Sequence, residues 1–529
     1  MELTRENYYE IEPTILKDIE NSEFVAFDLE FSGLIPSRFK IFDSPEENFQ
    51  KSKVMAENYR IIQVGITPFL KKENGVKGYI AKPYNIYVFP SEKQNNSRFD
   101  SFLESIIFNR EHGCDFNKWI CNGVPYLNTE LFKKLSERLM SGNINKYDPK
   151  NPTLFRKIVL YKDQDKIRYS NFMNKFNDFY NNKDETIFKH EKIVRHLVLF
   201  FLNNLDQDIR NKIFIEYKDE TVGEDTKSFI IIHKLKSFEE KMEKINHENN
   251  EIISLIHREK GVKNIIEKII QTKKPIVGHN CYIDLLFIMS HFMDDIPKNF
   301  NVFKLKLKNE FKGGIYDTKY IYNSSTYNFS ENKENSKNNI NLEGLYTNLY
   351  EENAKLENDK KISIEIPKNE KFIDYLDEKS KEIKFHQADF DSFTTGCAYA
   401  YMLNMLGEKF IKEQENKLNC YHGLYSCYDL NNTNDKEEMY LCNSTDAYVL
   451  KFTEKYYGSE EMMKKINEEV INSKYINCKI FNSGVYIVFL NSENKNDFIQ
   501  ICTKFIDFII IKSILEYKDT LKNKNIISK

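Results

Sequence analysis

The sequence is short of the features that assign a function most quickly. Its formal net charge is −3, so it exerts no global attraction on a polyanion, and a nucleic-acid partner has to be held by local patches. Nine cysteines form no C-x-x-C pair and no Cys/His zinc spacing, which leaves scattered, reduced thiols of an intracellular protein as the expectation. The opening MELTRENYYEIEP is acidic and lacks a hydrophobic h-region, so no signal peptide is expected. The most apolar late run, Phe505 to Leu515 (FIDFIIIKSIL), is broken by Asp507 and Lys512. It falls below the roughly 18 to 20 apolar residues that a membrane span requires. It reads as a buried amphipathic helix, and no membrane association is expected.

What is present is globular. The 529 residues exceed one ordinary core, so two to four domains are expected. Hydrophobic residues make up 41% and charged residues 30%, which excludes a disordered chain. The 32 Tyr and 40 Phe are mostly core material, although such rings also serve as stacking platforms for bases.

The chain is organised around Phe24 to Leu34, FVAFDLEFSGL. Phe24, Val25, Ala26 and Phe27 suit a buried central strand. Residues two apart on a strand share a face, so Asp28 and Glu30 project together. An isolated Asp-x-Glu is more often one acid at a strand end meeting an Arg or Lys. Two unpaired acids in a core repel each other by a few kcal/mol at about 4 to 6 Å, besides their desolvation, unless a metal ion sits between them.

Four segments are expected along the chain. Residues 1–165 hold the first part of a split domain, with a helix at Pro45 to Tyr59 and strands at Arg60 to Thr67 and Tyr84 to Phe89 forming the antiparallel half of a mixed sheet. Phe116 to Asn128 is an aromatic loop whose Trp119, the single Trp, is core or lines a channel. Residues 166–250 read as a small α/β insertion, with a strand at Phe229 to His233 and a solvated charged helix at Phe238 to Arg258. The first fold resumes over residues 251–418. There Lys273 to Phe292 gives a short strand, a Gly278-His279-Asn280 turn, and an apolar helix with Asp284 in its first turn. A locally basic run, Lys298 to Lys312, is a candidate phosphate contact or plain surface charge. Tyr322 to Asn339 and Glu351 to Lys371 read as polar surface insertions. Phe385 to Met405 is mostly helix, with Asp391 turned inward. Residues 419–529 form a further α/β domain, in which Met439 to Phe452 and Ile476 to Leu490 read as strands and Glu460 to Val470 and Lys495 to Phe508 as helices.

Four acids therefore recur in similar settings: Asp28 and Glu30 on a strand, Asp284 at a helix start, and Asp391 on a later helix. His386 precedes Asp391 by five residues. Converging carboxylates hold two Mg²⁺ ions, hard cations that prefer oxygen. Two such ions stabilise the attacking and leaving oxygens of a phosphodiester displacement, and a neutral His beside them takes the proton of the attacking water. Singly, each residue has an ordinary structural explanation. The ordered set favours a nuclease.

That set resembles the DEDDh branch of 3′-to-5′ exonucleases. FDSPEENFQK, NIYVFP, FNKWICNGVPYLN, PIVGHN, IYDTK and FHQADFDSFTTG are similar, within that branch, to the poly(A)-specific ribonuclease (PARN) family, over most of residues 20 to 410. Trimmers of pre-piRNA share many of these segments. The resemblance implies an RNase H-like mixed-sheet exonuclease fold with a small α/β insertion and a C-terminal RRM-like α/β domain. It implies a Mg²⁺-dependent deadenylase, two ions per site with Mn²⁺ able to substitute, that shortens 3′ poly(A) tails of single-stranded RNA and releases 5′-AMP. Asp28, Glu30, Asp284 and Asp391 would be metal ligands and His386 the general base. Phe31 and Leu34 match positions on the terminal adenosines, and Lys319 a residue on the poly(A); Phe31 is equally compatible with core and Lys319 with a bystander. A homodimer in the nucleus or cytoplasm is implied as well.

Two departures bear on RNA binding. The insertion lacks the family's Arg-x-x-x-His and keeps only its spacing, in Lys192 and His196. The only Trp lies in the nuclease part, so cap binding is unsupported. The alternatives are a trimmer of small non-coding or guide RNAs and, from another class, a catalytically silent RNA-binding scaffold.

Overall fold

A computed structural model describes residues 1–35, 43–73, 76–93, 98–141, 144–146, 160–222, 225–325, 341–368, 372, 385–421, 427–432, 447–452, 476–481, 485–490, 500 and 509–513. The chain divides into two compact units, one made of Met1–Asn128 with Val262–Lys529 and the other of Thr129–Gly261. The second contains the 166–250 segment read as an insertion.

The first unit is built on a mixed sheet. Its main path runs Glu2–Leu3, Tyr84–Pro90, Ile61–Lys71, Phe24–Phe31, Ile276–Gly278, Ile315–Asp317, Lys417–Asn419 and Cys427–Asp429. Phe24–Phe31 is the seam between the two halves, antiparallel to Ile61–Lys71 and parallel to Ile276–Gly278. Being central, it is buried on both faces, which suits its near-continuous apolar sequence. Val25, Phe27, Leu29 and Phe31 enter one core cluster, with the helix Tyr282–Phe292. Phe24 and Ala26 enter the other, beneath the helix Ala388–Leu406. Asp28 and Glu30 continue this second face to the strand's end.

The helix Ala388–Leu406 lies on that face by a matched repeat. Ala388 meets Gly65, where an added Cβ would come within 1.8 Å of the Ala388 carbonyl oxygen. Ser392 Oγ is 2.7 Å from Thr67 Oγ1, and Gly396 sits on the Phe69 ring, so close that a Cβ there would lie 2.0 Å from it. Four helical residues advance about 6 Å and two strand residues about 6.8 Å, so the two rows stay in step. Because Gly65 pairs with Asp28 across the strands, the close approach at Gly65 brings the helix start over the acids.

The aromatic stretch 116–128 is more ordered than the loop expected. It holds a short helix, Phe116–Ile120, and a strand, Val124–Tyr126. Trp119 is buried among Phe89, Phe99 and Phe116, so it is core. The Glu351 to Lys371 stretch likewise carries the end of a helix, Leu342–Lys355, and a strand, Ser363–Glu365, paired to Gly78–Ala81. In the basic run, Lys304 is fully buried with its ammonium on the Asn432 carbonyl oxygen, and Lys306 pairs with Asp294 at 2.7 Å.

The second unit has a three-stranded antiparallel sheet in the order Ile187–Glu191, Asp225–Lys234, Ile213–Val222. Sequence reading found only the middle strand, since the outer two are interrupted by charge, at Lys189 and Glu191 in one and at Glu216, Lys218, Asp219 and Glu220 in the other. Phe172, Phe176 and Phe179 of the helix Asp163–Asn181 and Phe201 of Arg195–Asn204 close its core.

Near the C-terminus four strands form an antiparallel sheet in the order Ile476–Phe481, Val485–Leu490, Ala447–Phe452, Ile509–Ser513. Two expectations are corrected here. Ile476 to Leu490 is a pair of antiparallel strands, not one. Ile509–Ser513, inside the run read as an amphipathic helix, is a strand paired to Ala447–Phe452, because consecutive β-branched Ile509, Ile510 and Ile511 favour an extended backbone once a strand edge is offered. The helices expected at 460–470 and 495–508 lie outside the described residues, apart from Gln500. No helix among the described residues is long and apolar enough to cross a membrane.

Candidate active site

Three of the predicted ligands come together directly. One carboxylate oxygen each from Asp28, Glu30 and Asp391 lie within 4.8 Å of one another. Strand periodicity supplies the first two, and the packed start of Ala388–Leu406 supplies the third. Asp391 Oδ2 accepts the His386 backbone N–H at 3.1 Å. Its Oδ1 is buried and has no hydrogen-bond partner. Such an orphaned acceptor costs about 1 to 3 kcal/mol, more when charged.

Asp284 stands beside this trio. It occupies the first turn of Tyr282–Phe292, where a carboxylate faces the positive end of the helix. Burial pushes its carboxyl up to about 7, partly offset by nearby backbone amides. Burial does the same for Asp391, also to about 7. Asp28 and Glu30 are held well above the usual range, first by burial and then by the charges of Asp391 and Asp284. Among the described residues, none of these four acids forms an ion pair with a Lys, Arg or His side chain. The donor set, all carboxylate oxygens with Asp391 Oδ1 unpartnered, fits a hard divalent cation.

His386 lies at the edge of the cluster. Its backbone is left-handed, with φ 71°, which turns its N–H onto Asp391. Its ring meets Phe108 at 4.9 Å and His112 at 4.5 Å between centroids. Burial, then the His112 ring, lowers its pKa, which favours the neutral form that can accept a proton.

The three expected substrate contacts are placed differently. Phe31 is 8% exposed and packs on Phe287 at 4.1 Å, in the core cluster with Leu29. Leu34 is half-buried beyond the strand end, its N–H on Ser105 Oγ. Lys319 is half-buried, with burial lowering its pKa. It stands near enough to His279 for its charge to help lower that imidazole to about 3, after burial.

Sequence reading missed Asp317. Its fully buried carboxylate accepts the backbone N–H of Asn280, Cys281, Lys319, Tyr320 and Asn419. It thus ties the turn before Asp284, the start of the helix bearing Lys319, and the Lys417–Asn419 strand to one point. The signal was an Asp following an apolar strand and preceding a helix, a capping pattern. Asn280, at φ 54°, accepts the Asn419 side-chain amide at 2.7 Å, and His279 Nδ1 is 2.9 Å from Thr318 Oγ1.

In the second unit, His196 Nε2 lies 3.2 Å from Asp165 Oδ2, and the Lys192 ammonium sits over the Tyr217 ring at 5.6 Å. Both members of the spaced pair thus already have partners.

With this geometry in view, the comparisons with known proteins are decisive for the family. The model of the CAF1 family of ribonucleases matches residues 3–399. The chain belongs to that family. Among curated proteins it is similar to poly(A)-specific ribonuclease PARN of Xenopus laevis, 27% identical over 436 residues, 79% of this chain and 65% of that protein. It is also similar to the pre-piRNA 3′-exonuclease trimmer of Bombyx mori, 27% identical over 365 residues, 67% of this chain and 64% of the other. The chain thus spans just under two thirds of the length of these relatives. Among solved structures, S. pombe Pop2p in its Mg²⁺ and Mn²⁺ bound form is 12% identical, covering 76% of this chain and 91% of that one, with a TM-score of 0.35.

Proposed function

We propose that this chain is a Mg²⁺-dependent 3′-to-5′ exoribonuclease that shortens poly(A) ends and releases 5′-AMP. The observation that carries the reading is the cluster of half-buried Asp28 and Glu30 with buried Asp391, whose Oδ1 is unpartnered. Four acids, two buried and two half-buried, without a counter-cation are costly to keep in a merely structural site. Family membership supports RNA as substrate, and the PARN relatives support poly(A).

Asp28, Glu30, Asp284 and Asp391 would hold the metal, which when bound offsets charge on the attacking and leaving oxygens. The carboxylates fix where a 3′-terminal phosphodiester is presented. His386, whose pKa partial burial and the His112 ring lower, takes a proton from the attacking water and holds it on its imidazole. Lys319, half-buried and near His279, would contact the RNA backbone or a base. Leu34 and the strand end at Phe31 border the terminal nucleotides.

Three further assignments belong to this reading. The strand order of the C-terminal sheet is the one that a βαββαβ chain produces, which supports an RRM-like domain. The inserted unit would be the single-strand-binding-like domain. A homodimer is proposed on the family resemblance carried by the sequence, and action in the nucleus or cytoplasm is proposed beside it.

The test is degradation of 5′-labelled oligo(A) with Mg²⁺, beside oligo(U) and 3′-phosphate-blocked oligo(A), with Asp28→Ala in parallel. Shortening from the 3′ end of oligo(A) alone, absent in the variant and on blocked RNA, is expected. The similarity to the Bombyx mori trimmer favours a second reading, a general trimmer of small-RNA 3′ ends; equal trimming of both homopolymers would select it. Tight binding without Mg²⁺-dependent cleavage would leave only a scaffold.

A further inference from the structure

The helix Leu103–Glu111 is tied to the candidate site at two points. Near its end, Asn109 donates its side-chain amide to the Phe31 carbonyl oxygen at 3.1 Å. That bond reaches the strand one residue past Glu30, where the pairing with Ile61–Lys71 is irregular. Just after the helix, His112 presents its ring to His386. Its backbone N–H donates to the Phe108 carbonyl oxygen at 3.1 Å, and its Nδ1 lies 2.8 Å from the same oxygen. The ring is therefore fixed to the helix end by its own turn.

Phe108, His112 and His386 form a closed set of three rings. Phe108 and His112 are 4.2 Å apart, His112 and His386 4.5 Å at 73°, Phe108 and His386 4.9 Å at 71°. The two contacts on His386 are edge-to-face, the arrangement that the ring quadrupoles favour. Among the described residues these are the ring contacts that His386 makes. Its main chain is fixed separately, through the N–H on Asp391 Oδ2. Main-chain anchoring leaves χ1 and χ2 of an exposed imidazole free, so the ring's direction depends on what it leans on. Gly113, at φ 84°, continues the approach, with Gln387 Nε2 3.4 Å from where its Cβ would stand.

We infer that His112 is a positioning residue for the reaction: its ring holds the imidazole of His386 in the direction needed to take the proton of the attacking water. Asn109 and His112 thereby connect the strand bearing Asp28 and Glu30 to the base through one helix end. The inference rests on the reading of His386 as general base, and it goes beyond that reading by naming what aims it. His112 touches no acid of the cluster and is not a catalytic residue in itself.

The experiment uses the full chain with Mg²⁺ and oligo(A), comparing wild type, His112→Ala, His112→Phe, His386→Ala and the His112→Ala/His386→Ala double variant. A misaimed base lowers kcat by about 10- to 100-fold. His112→Ala is expected to show that fall with KM within about twofold. His112→Phe, which keeps a ring edge at the same place, is expected to recover most of it. The double variant is expected to be no slower than His386→Ala, because the two act as one unit. A rise in KM with kcat unchanged would make His112 a substrate contact and overturn the inference. So would an equal loss in the His386→Ala background. A second readout is independent of turnover: the Cε1–H resonance of His386, assigned with His386→Ala among the ten histidines, should shift in His112→Ala. If wild type cleaves no RNA, the proposed function fails, and an unmoved resonance separately removes the positioning role.

Discussion

The acid cluster of the first unit and the Lys192/His196 pair of the second are both motif-spaced groups, and they differ in what surrounds them. Asp391 is buried with one oxygen unpartnered, next to two more carboxylates whose pKa values burial and the charges of Asp391 and Asp284 raise. His196 stands against Asp165, and Lys192 over Tyr217, both within reach of solvent. The first arrangement is costly until something is added. The second is already satisfied. Spacing is common to both, and unmet electrostatic demand separates a site from a surface.

The largest effect that sharpens this contrast is at Asp391. Asp391→Asn is expected to lower the rate on oligo(A) by on the order of a thousandfold, the scale of removing a group that stabilises developing charge. In the absence of metal it should leave the unfolding temperature unchanged or raised, since one repelling charge is gone. A lowered unfolding temperature with activity retained would show the cluster to be structural.

Next comes a pH effect. Asp284 and Asp391 are held at about 7 when folded, against an ordinary value of 3.8. The folded chain therefore binds more protons than the unfolded one between those limits. Its metal-free stability is fully present below about pH 4 and falls as pH rises towards 7, by up to roughly 1.4 kcal/mol per pH unit per extra proton. Metal displaces those protons, so it should restore the stability at and above neutral pH. Thermal unfolding from about pH 5 to about pH 8, in chelator and in Mg²⁺, checks both halves. Parallel curves would remove the metal from the account.

Asp317→Ala strips five N–H groups, one buried and four partly buried, of one acceptor. A destabilisation of about 3 kcal/mol or more is expected in denaturant unfolding, with Asp317→Asn intermediate. An effect as small as a surface substitution would mean that the clasp is dispensable.

The smallest effect is expected at the satisfied pair. His196→Ala and Lys192→Ala should each change stability by less than about 1 kcal/mol and leave oligo(A) affinity, followed by fluorescence anisotropy, close to wild type. A large loss of affinity from either would erase the contrast drawn here.

The candidate site was more legible than the fold around it. Asp28 and Glu30 follow from the two-residue repeat of a strand, and Asp284 from a helix start after a Gly-His-Asn turn, which are local rules. His112 and Asn109 carry no such pattern, for their importance comes from a helix end delivered across the fold. Phe31 was ambiguous in sequence because both faces of a central strand are apolar, and only its packing on Phe287 places it in the core. The charged outer strands of the second unit and the Ile509–Ser513 strand were missed for a related reason. A strand's stability is supplied by its neighbour, and the neighbour is distant in sequence.

The sequence by itself determined which acids exist, their order, and which of them share a strand face, because backbone periodicity is a property of adjacent residues. Only the tertiary structure decided that the helix from Ala388 closes on Gly65, so that a third carboxylate reaches the first two, and that Asp391 is left with an unpaired oxygen. Closure depends on the volume of a glycine opposite Asp28 and on packing between segments more than three hundred residues apart, quantities that no local pattern contains.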